Sequence, residues 1–508
     1  MPNIASSDDF AKLTRGRMQC AMAIGILFAV TLAFVFVVAP SPVLPLVILV
    51  VATLFTVLLK WPQSSLYIVF AAICLFEEFP RHFPDSMTDQ VPFFWNINTI
   101  IQIYAHVDFK AVPLNVMELV VLIAGISALV RAVLMKEVRL RIGPLFWQIF
   151  AYICFVCMGW VNGLLTGGDF KTSLMEVRPQ FYLILPYLMV VNMVRNRRQI
   201  DALLWTMVVC IGIKGILYTF RRYVTLAGMP VSDQGVGSHE EAFLFDGYML
   251  LLILLSMFQI HTRLRSVMWL MLPFVVIGNL ATNRRAGTAA LIIAMPILLM
   301  AAERALPKLR TRIRIFSVIM VVLFAVYYIA FKNSDSIFAQ PARAIGSIIQ
   351  PNSRDAASNE YRDAENKDLM ATIRLSPMQG YGYGKHMLHV ARIADISSLY
   401  EYWDVMTHNQ ILWVWMRVGT FGFITFWMMV AVLIIRACTT LRDARYNAHS
   451  KSMAAYSILV ISMLMIVAGL DIYLVNMRCM LFVGYWMGIL GVVVADGKDH
   501  MQETEAAL

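Results

Sequence analysis

Long apolar runs and short basic segments alternate along nearly the whole chain. About 20 consecutive apolar residues cross the hydrocarbon core of a bilayer as a helix, and many of these runs approach that length. Three runs are short, so the pattern predicts twelve to fourteen membrane-spanning helices. The candidate spans are residues 19–39, 43–60, 63–78, 114–135, 145–164, 180–194, 201–220, 243–260, 267–281, 287–302, 314–331, 411–435, 453–472 and 477–495.

One polar stretch, residues 332–410, separates two strongly apolar runs. Part of it has helical periodicity, from Ser358 to Leu375, and ends at Ser376-Pro377. The glycine-rich residues 380–384 predict a flexible turn, and a second short helix is predicted before His408. The Gly-x-Gly spacing follows no strand, so it does not indicate a phosphate-binding loop. The apolar face of the periodic stretch consists of Tyr361, Leu369, Met370 and Ile373.

Composition agrees with an all-α polytopic membrane protein. The chain of 508 residues is 59% hydrophobic and only 15% charged, whereas soluble proteins carry about 25% charged residues. The net charge is +10, but many basic residues lie in short loops between apolar runs. Because the positive-inside rule accounts for charges in such loops, no nucleic-acid partner is expected.

The basic clusters recur at every second loop, as at residues 136–141, 195–198 and 304–314. This places those loops and both termini in the cytoplasm, and the alternate loops, including 332–410, outside. The predicted organisation is therefore residues 1–331 as membrane helices, 332–410 as one large periplasmic loop, 411–496 as further spans and 497–508 as a cytoplasmic tail.

Seven cysteines all lie in or beside apolar runs. Cys154 and Cys157 have the spacing of a redox motif, but an apolar helix disfavours a thiolate, so we interpret them as packing residues. Neither a disulfide framework, nor a metal site, nor a cofactor follows from the pattern.

Arginines occur where a lipid-embedded chain least favours them, at the outer ends of predicted spans. Headgroup contacts explain any one of these arginines but explain the group less well. Arg284 and Arg285 occupy a short turn with no acidic residue nearby in sequence, which favours an anion such as a lipid phosphate or pyrophosphate. The other arginines at outer edges are Arg178, Arg221, Arg222 and Arg478, and Arg417 lies up to three turns inside the span that follows His408.

His408 lies where the polar stretch meets the next span. It could cap that helix, or act as a base toward an acceptor hydroxyl, since its side chain titrates near neutral pH. No Asp-x-Asp motif lies in the large loop or beside the arginines, so arginines rather than a metal ion are expected to hold a pyrophosphate leaving group.

Four motifs taken together resemble the O-antigen ligase and Wzy-type polymerase superfamily. The first is Thr407-His408-Asn409-Gln410-Ile411-Leu412 followed by Gly419 and Gly422, which is similar to its His-Asn-x-x-Leu…Gly signature. The others are Glu176-Val177-Arg178-Pro179, Asn283-Arg284-Arg285-Ala286-Gly287, and Ser358-Asn359-Glu360-Tyr361-Arg362 with Pro377 and Gly380-Tyr381-Gly382. The sequence departs from the family pattern at Asn283, where a serine is usual, and in a second arginine before Arg285.

This resemblance implies a GT-C-like fold and metal-independent glycosyl transfer at the periplasmic face of a bacterial inner membrane. The implied donor is a glycan on undecaprenyl pyrophosphate, and the acceptor is another glycan or a lipid A–core sugar. His408 takes the position of the catalytic base, Arg178 and Arg285 those of the pyrophosphate-binding arginines, and Arg362 that of the loop arginine. Further predicted substrate contacts are Arg284, Asn409, Arg221 and Arg222.

Three activities remain open within the superfamily: ligation, polymerisation and protein O-glycosylation. A lipid-linked oligosaccharide flippase is an alternative of another class, because many spans and a basic cavity also suit a transporter. A transporter would more typically show two related halves, and the sequence shows no repeat.

Overall fold

The computed structural model describes residues 53, 56–58, 60–78, 88, 90–105, 114–133, 140–227, 235–334, 336–392, 394–398 and 400–507. Every regular element in this part of the chain is helical. The helices are α1 (Ser64–Leu75), α2 (Ile97–Ala105), α3 (Val116–Val133), α4 (Phe146–Leu165), α5 (Phe170–Met193), α6 (Arg197–Phe220), α7 (Glu240–Phe258), α8 (Thr262–Ala281), α9 (Arg285–Ala305), α10 (Arg310–Phe331), α11 (Gln340–Ile349), α12 (Ser353–Leu375), α13 (Gln410–Arg442), α14 (Ala448–Ala468) and α15 (Met477–Ala507).

Ten helices in the described part are long and apolar enough to cross a membrane, and α1 and the segment Val116–Val130 are shorter apolar helices. Twelve of the fourteen predicted spans therefore coincide with a helix, which confirms an all-α polytopic membrane protein. The predicted span 19–39 lies outside the described residues, and 43–60 lies mostly outside them.

The chain divides into two compact units. The smaller comprises residues 1–65 and 94–136, and the larger comprises residues 66–93 and 137–508. In the smaller unit, Asn115 begins α3 through reciprocal hydrogen bonds with Glu118, each side chain accepting from the other residue's backbone N–H at 2.8 Å. All candidate site residues belong to the larger unit.

The helices of the larger unit differ in how much of their surface other helices cover. Within the apolar windows of α7, α14 and α15, 78%, 78% and 83% of the residues are buried, against 6% in α10. The first three helices thus form the core, whereas α10 presents exposed apolar side chains such as Val318, Val321 and Ile329 to its surroundings, as a lipid-facing helix does.

Helix α5 begins earlier than the sequence predicts. Asp169 caps it by accepting a 2.7 Å hydrogen bond from the Thr172 N–H, and the helix continues through Pro179 and Pro186. Arg178 therefore lies inside α5 and not in an outer loop. The prediction failed because a proline within a membrane helix does not have to end it.

A buried cluster of charged side chains joins α6, α7 and α15. Arg478 is fully buried, and its guanidinium donates to Glu240 at 3.0 Å and to Glu241. Lys214 lies 2.7 Å from Glu241 and 3.2 Å from Glu77. Arg478 is thus neither a lipid-headgroup contact nor an exposed anion-binding residue, because these carboxylates neutralise it within the core.

We expect Arg478→Met to destabilise the fold by about 3–5 kcal/mol, because removing one partner of a buried ion pair leaves uncompensated charge. The measurement is unfolding of the purified protein in detergent. The matched control is Arg445→Ala, which removes an exposed arginine that pairs with Asp443 and should cause no measurable change. Equal stability of the two variants would contradict the structural role of the cluster.

Candidate active site

The large loop folds around one long helix, α12, which confirms the predicted helix and extends it to Ser353. Asn352 caps its first turn by accepting a hydrogen bond from the Asp355 N–H at 2.8 Å. Leu369 and Ile373 are buried, as the apolar periodicity predicts. The short helix predicted before His408 is absent, since residues 401–405 form turns, and the loop's other α-helix is α11.

His408 is held against α12 by Glu365, whose side chain is 1% exposed. One carboxylate oxygen accepts the His408 backbone N–H at 2.9 Å, and the other lies 3.2 Å from the imidazole Nδ1. The edge of the Tyr361 ring packs against the imidazole, with the ring centroids 5.8 Å apart. When the carboxylate accepts a hydrogen bond from Nδ1–H, the other ring nitrogen, Nε2, is available as a base.

Two polar residues after His408 fix the start of α13. Asn409 caps the helix by accepting the Leu412 N–H at 3.2 Å, and its amide donates to Asn366 of α12 at 2.9 Å. The side chain of Gln410 accepts hydrogen bonds from the Leu474 and Val475 amides. The predicted capping function therefore belongs to Asn409 and not to His408.

Arg285, the first residue of α9, reaches the other end of α12. Its guanidinium lies 3.2 Å from Asp355 and contacts the hydroxyls of Ser358 and Ser347 at 3.5 and 3.4 Å. No acidic residue lies near the Arg284-Arg285 turn in sequence, but the fold brings Asp355 from a distant part of the chain to meet Arg285.

The contacts of Arg285 and His408 lie on one face of α12. Ser358, Arg362 and Glu365 follow each other at i, i+4 and i+7, which is the spacing of a single helical face. At 1.5 Å per residue, Ser358 and Glu365 are about 10 Å apart along the axis. The partly buried Arg362 therefore lies between the residue that touches Arg285 and the residue that touches His408. Its Nε is buried and has no hydrogen-bond partner among the described residues.

Asp471, which follows α14, adds a second carboxylate near His408. Its side chain contacts Nδ1 of His239 at 3.0 Å. Burial raises the pKa of this carboxyl, but interactions with His239, His408 and the Ile472 amide outweigh burial and keep the pKa below its usual range. Asp471 therefore remains ionised beside the two histidines.

Arg284 lies within electrostatic range of the same region. Burial raises the pKa of the neighbouring Tyr473 well above its usual value, and the Arg284 charge opposes that rise. The Tyr473 hydroxyl donates to the His239 carbonyl at 2.8 Å, which places Arg284 near the His239–Asp471 pair.

The positions of the other predicted arginines relative to His408 follow only from the helices that carry them. Arg178 lies on α5 between Glu176 and Gln180, which contact Trp413 and Leu474 near His408. Successive helical residues turn by about 100°, so Arg178 leaves α5 on roughly the opposite side from these two neighbours. Arg221 is buried and Arg222 is partly buried in the π-helical turn that ends α6. The substrate contacts of Arg178, Arg221 and Arg222 stay predictions.

Arg417 is structural. It is fully buried, 2.7 Å from Glu176, and donates to the carbonyls of Gly382, Lys385 and Val405 at 2.8–2.9 Å. Glu176 in turn accepts the Trp413 indole N–H and the Gly384 amide. This ion pair therefore ties the loop to α5 and α13, and Arg417 cannot serve as a headgroup contact.

The glycine-rich segment 380–384 is fixed between helices rather than left as an open turn. Gly380, Gly382 and Gly384 all have positive φ, and a Cβ on each would come within 2.5 Å of backbone atoms of neighbouring segments. Gly419, also with positive φ, breaks the helical geometry of α13 where Gly380 packs against it. These glycines allow the close backbone approach that seats the loop.

Several site residues escaped the sequence analysis. Glu365 could have been found from its i+7 spacing to Ser358, and Asp471 as an acidic residue at an outer span edge. Asp355, His239 and Asn366 carry no such signal, because only tertiary contact connects them with the site.

A histidine with a buried carboxylate partner, together with arginines along one loop helix, is an arrangement that can carry out acid–base chemistry on a helical membrane protein. Residues 266–427 match the family model described as O-antigen ligase, so this part of the chain is similar to that family. The match confirms the resemblance to the O-antigen ligase and Wzy superfamily and spans both Arg285 and His408. No curated protein matches the chain.

We expect Gly382→Ala to lower both the melting temperature in detergent and the amount of folded protein, because a Cβ there meets the Gly163 backbone. The matched control is Gly167→Ala. Gly167 also has a positive φ but has no atom near its Cβ position, so the control carries only the backbone strain of about 1–2 kcal/mol. Equal losses in both variants would show that the close approach does not matter.

Proposed function

We propose that this protein transfers a glycan from undecaprenyl pyrophosphate to an acceptor hydroxyl at the periplasmic face of a bacterial inner membrane. The observation that carries the proposal is the placement of His408 and Arg285 on one face of α12, inside the segment that matches the O-antigen ligase family. The contact points of the proposed base and of the proposed phosphate-binding cation are about 10 Å apart along α12, which suits a sugar that lies between its acceptor and its leaving group.

His408 acts as the base in this scheme. Its Nε2 removes the proton of the acceptor hydroxyl while the acceptor oxygen attacks the anomeric carbon of the donor sugar. Glu365 at Nδ1 orients the ring and stabilises the imidazolium that forms, which is the role of a carboxylate in a base–carboxylate pair. Asp471 adds a second carboxylate near His408.

The bond between the anomeric carbon and the pyrophosphate oxygen breaks as the new glycosidic bond forms. The electron pair leaves with undecaprenyl pyrophosphate, and arginine guanidinium groups stabilise the charge that develops there. Arg285 and Arg362 bind the leaving group, with Arg284 beside them, so the reaction needs no metal ion. Asp355 and the two serines hold Arg285 in position before the donor binds.

Arg178, Arg221, Arg222 and Asn409 complete the proposed substrate contacts. The support for Arg178 is its motif alone, because Glu176-Val177-Arg178-Pro179 resembles the family motif that contains a pyrophosphate-binding arginine. Its side chain leaves α5 on the side away from Glu176 and Gln180. Asn409 also has a structural function, because its side-chain amide connects α12 with α13.

The acceptor separates a ligase from a polymerase. We favour ligation to a lipid A–core sugar, with a second lipid-linked glycan as the alternative acceptor. Purified protein would be given a defined lipid-linked donor with each acceptor separately. Product that carries the glycan on lipid A–core supports the ligase, and lengthening of the lipid-linked chain alone supports the polymerase. Movement of intact donor between leaflets without any new glycosidic bond would overturn both and favour a flippase.

We expect His408→Ala to lower kcat by about 10²–10⁴-fold, the usual contribution of a general base. Glu365→Gln should lower kcat less, because the amide oxygen can still accept from Nδ1 but no longer stabilises the imidazolium. The matched control is His386→Gln, an exposed loop histidine that pairs with Asp404 and should leave transfer unchanged. Full turnover in His408→Ala at normal abundance would exclude this residue as the base.

We expect Arg285→Lys and Arg362→Lys each to lower kcat/KM by about 10–100-fold, because lysine lacks the planar fork that binds phosphate through two N–H groups. The control is Arg374→Lys, an exposed arginine on the same helix. The measurement is steady-state transfer with a defined donor. Wild-type kinetics in both variants would rule out bidentate recognition at α12.

A further inference from the structure

Two histidines and one aspartate meet at the end of the helical bundle remote from His408. Asp201 lies in the first turns of α6, His261 directly before α8, and His449 in the first turn of α14. Asp471 follows the other end of α14, so this second cluster is separated from the candidate active site by about 30 Å of helix.

The ligand atoms of the three side chains converge on a single point. Nε2 of His449 lies 2.9 Å and Nε2 of His261 lies 3.5 Å from the same oxygen, Oδ1 of Asp201. All three ligand atoms are within 4.8 Å of one another. In a tetrahedral zinc site with bonds of about 2.0–2.1 Å, neighbouring ligand atoms are about 3.3 Å apart. The observed distances of 2.9 and 3.5 Å from the two imidazole nitrogens to Oδ1 of Asp201 lie on either side of that value.

Hydrogen bonding within the cluster does not by itself explain the burial and backbone conformation of His261. Its side chain is only 10% exposed, and its Nε2 is buried without a hydrogen-bond partner, although it faces Asp201. The residue also adopts a left-handed backbone conformation, with φ 54° and ψ 51°, which is costly for a residue with a Cβ. A buried imidazole nitrogen held in this way is able to act as a metal ligand.

The charged side chains around the cluster leave one carboxylate oxygen of Asp201 for a bound cation. Arg197 approaches Oδ2 of Asp201 at 3.9 Å, so the guanidinium is on the carboxylate oxygen that the histidines do not share. Oδ1 remains directed at both imidazoles. Two imidazole nitrogens and one carboxylate oxygen are a ligand set that suits zinc and other first-row divalent ions rather than calcium or magnesium.

We propose that Asp201, His261 and His449 bind a divalent transition-metal ion of the zinc class, with a fourth position for water or another ligand. The ion joins the starts of α6, α8 and α14. Helix α8 leads to the Arg284-Arg285 turn, and α14 leads to Asp471. The ion therefore connects the beginnings of two helices whose other ends lead to residues of the candidate active site.

The test uses the full chain in detergent after treatment with a chelator. Zn²⁺ is titrated in competition with a chromophoric chelator, and bound metal is counted by elemental analysis. One Zn²⁺ per chain and a higher melting temperature with Zn²⁺ are expected, since a ligand that binds only the folded state stabilises it. His449→Ala and Asp201→Asn should each weaken binding by at least about tenfold.

Two further variants test whether the ligand variants stay folded and whether a histidine of the large loop contributes to metal binding. His261→Gln keeps a polar side chain of similar size and should also lose the metal while it elutes as folded protein. His386→Gln alters a histidine–aspartate pair elsewhere and should bind Zn²⁺ like the wild type. Less than one Zn²⁺ per wild-type chain, unchanged affinity in the folded ligand variants, or loss of binding in His386→Gln would overturn the assignment.

Discussion

The buried pair of Arg417 and Glu176 is the contact on which the arrangement of the large loop depends. Two charges without water around them are tolerable only when each is paired and its remaining hydrogen-bonding capacity is used. Here the guanidinium also binds three loop carbonyls, and the carboxylate binds an indole and a backbone amide. Both ends of the segment 382–405 are thereby fixed, and His408 follows Val405 by three residues.

Helix α12 then sets the spacing of the site. Its N-terminal turns contact Arg285, its middle contacts His408, and Asp368 near its C-terminal end accepts the Val390 and Ala391 amides at 2.8 and 2.7 Å. A rigid helix keeps these contact points at constant separation, whereas an irregular loop would not. The water-soluble stretch thus positions groups from two membrane helices, α9 and α13, relative to one another.

The parts of this structure that depend on local pattern could be predicted, and the parts that depend on distant partners could not. Apolar periodicity located the spans, and the helical spacing around Tyr361 located α12, because both reflect burial of neighbouring residues. The roles of Arg417 and Arg478 were not predictable in this way. Each is matched by a carboxylate more than two hundred positions away, at Glu176 and at Glu240 and Glu241. In the sequence, an arginine within an apolar run looks the same whether its partner is a lipid phosphate or a buried glutamate.

The His-Asn-x-x-Leu…Gly signature can be understood in the same terms. Asn409 begins α13, Gln410 ties its first turn to the segment before α15, and Gly419 opens the helix for the backbone at Gly380. Three of its elements therefore hold His408 at the start of α13 through contacts within the protein. The segment that matches the O-antigen ligase family contains Asn409, Gln410, Gly419 and Gly380, so the match reports this shared arrangement around His408 and not the choice of acceptor.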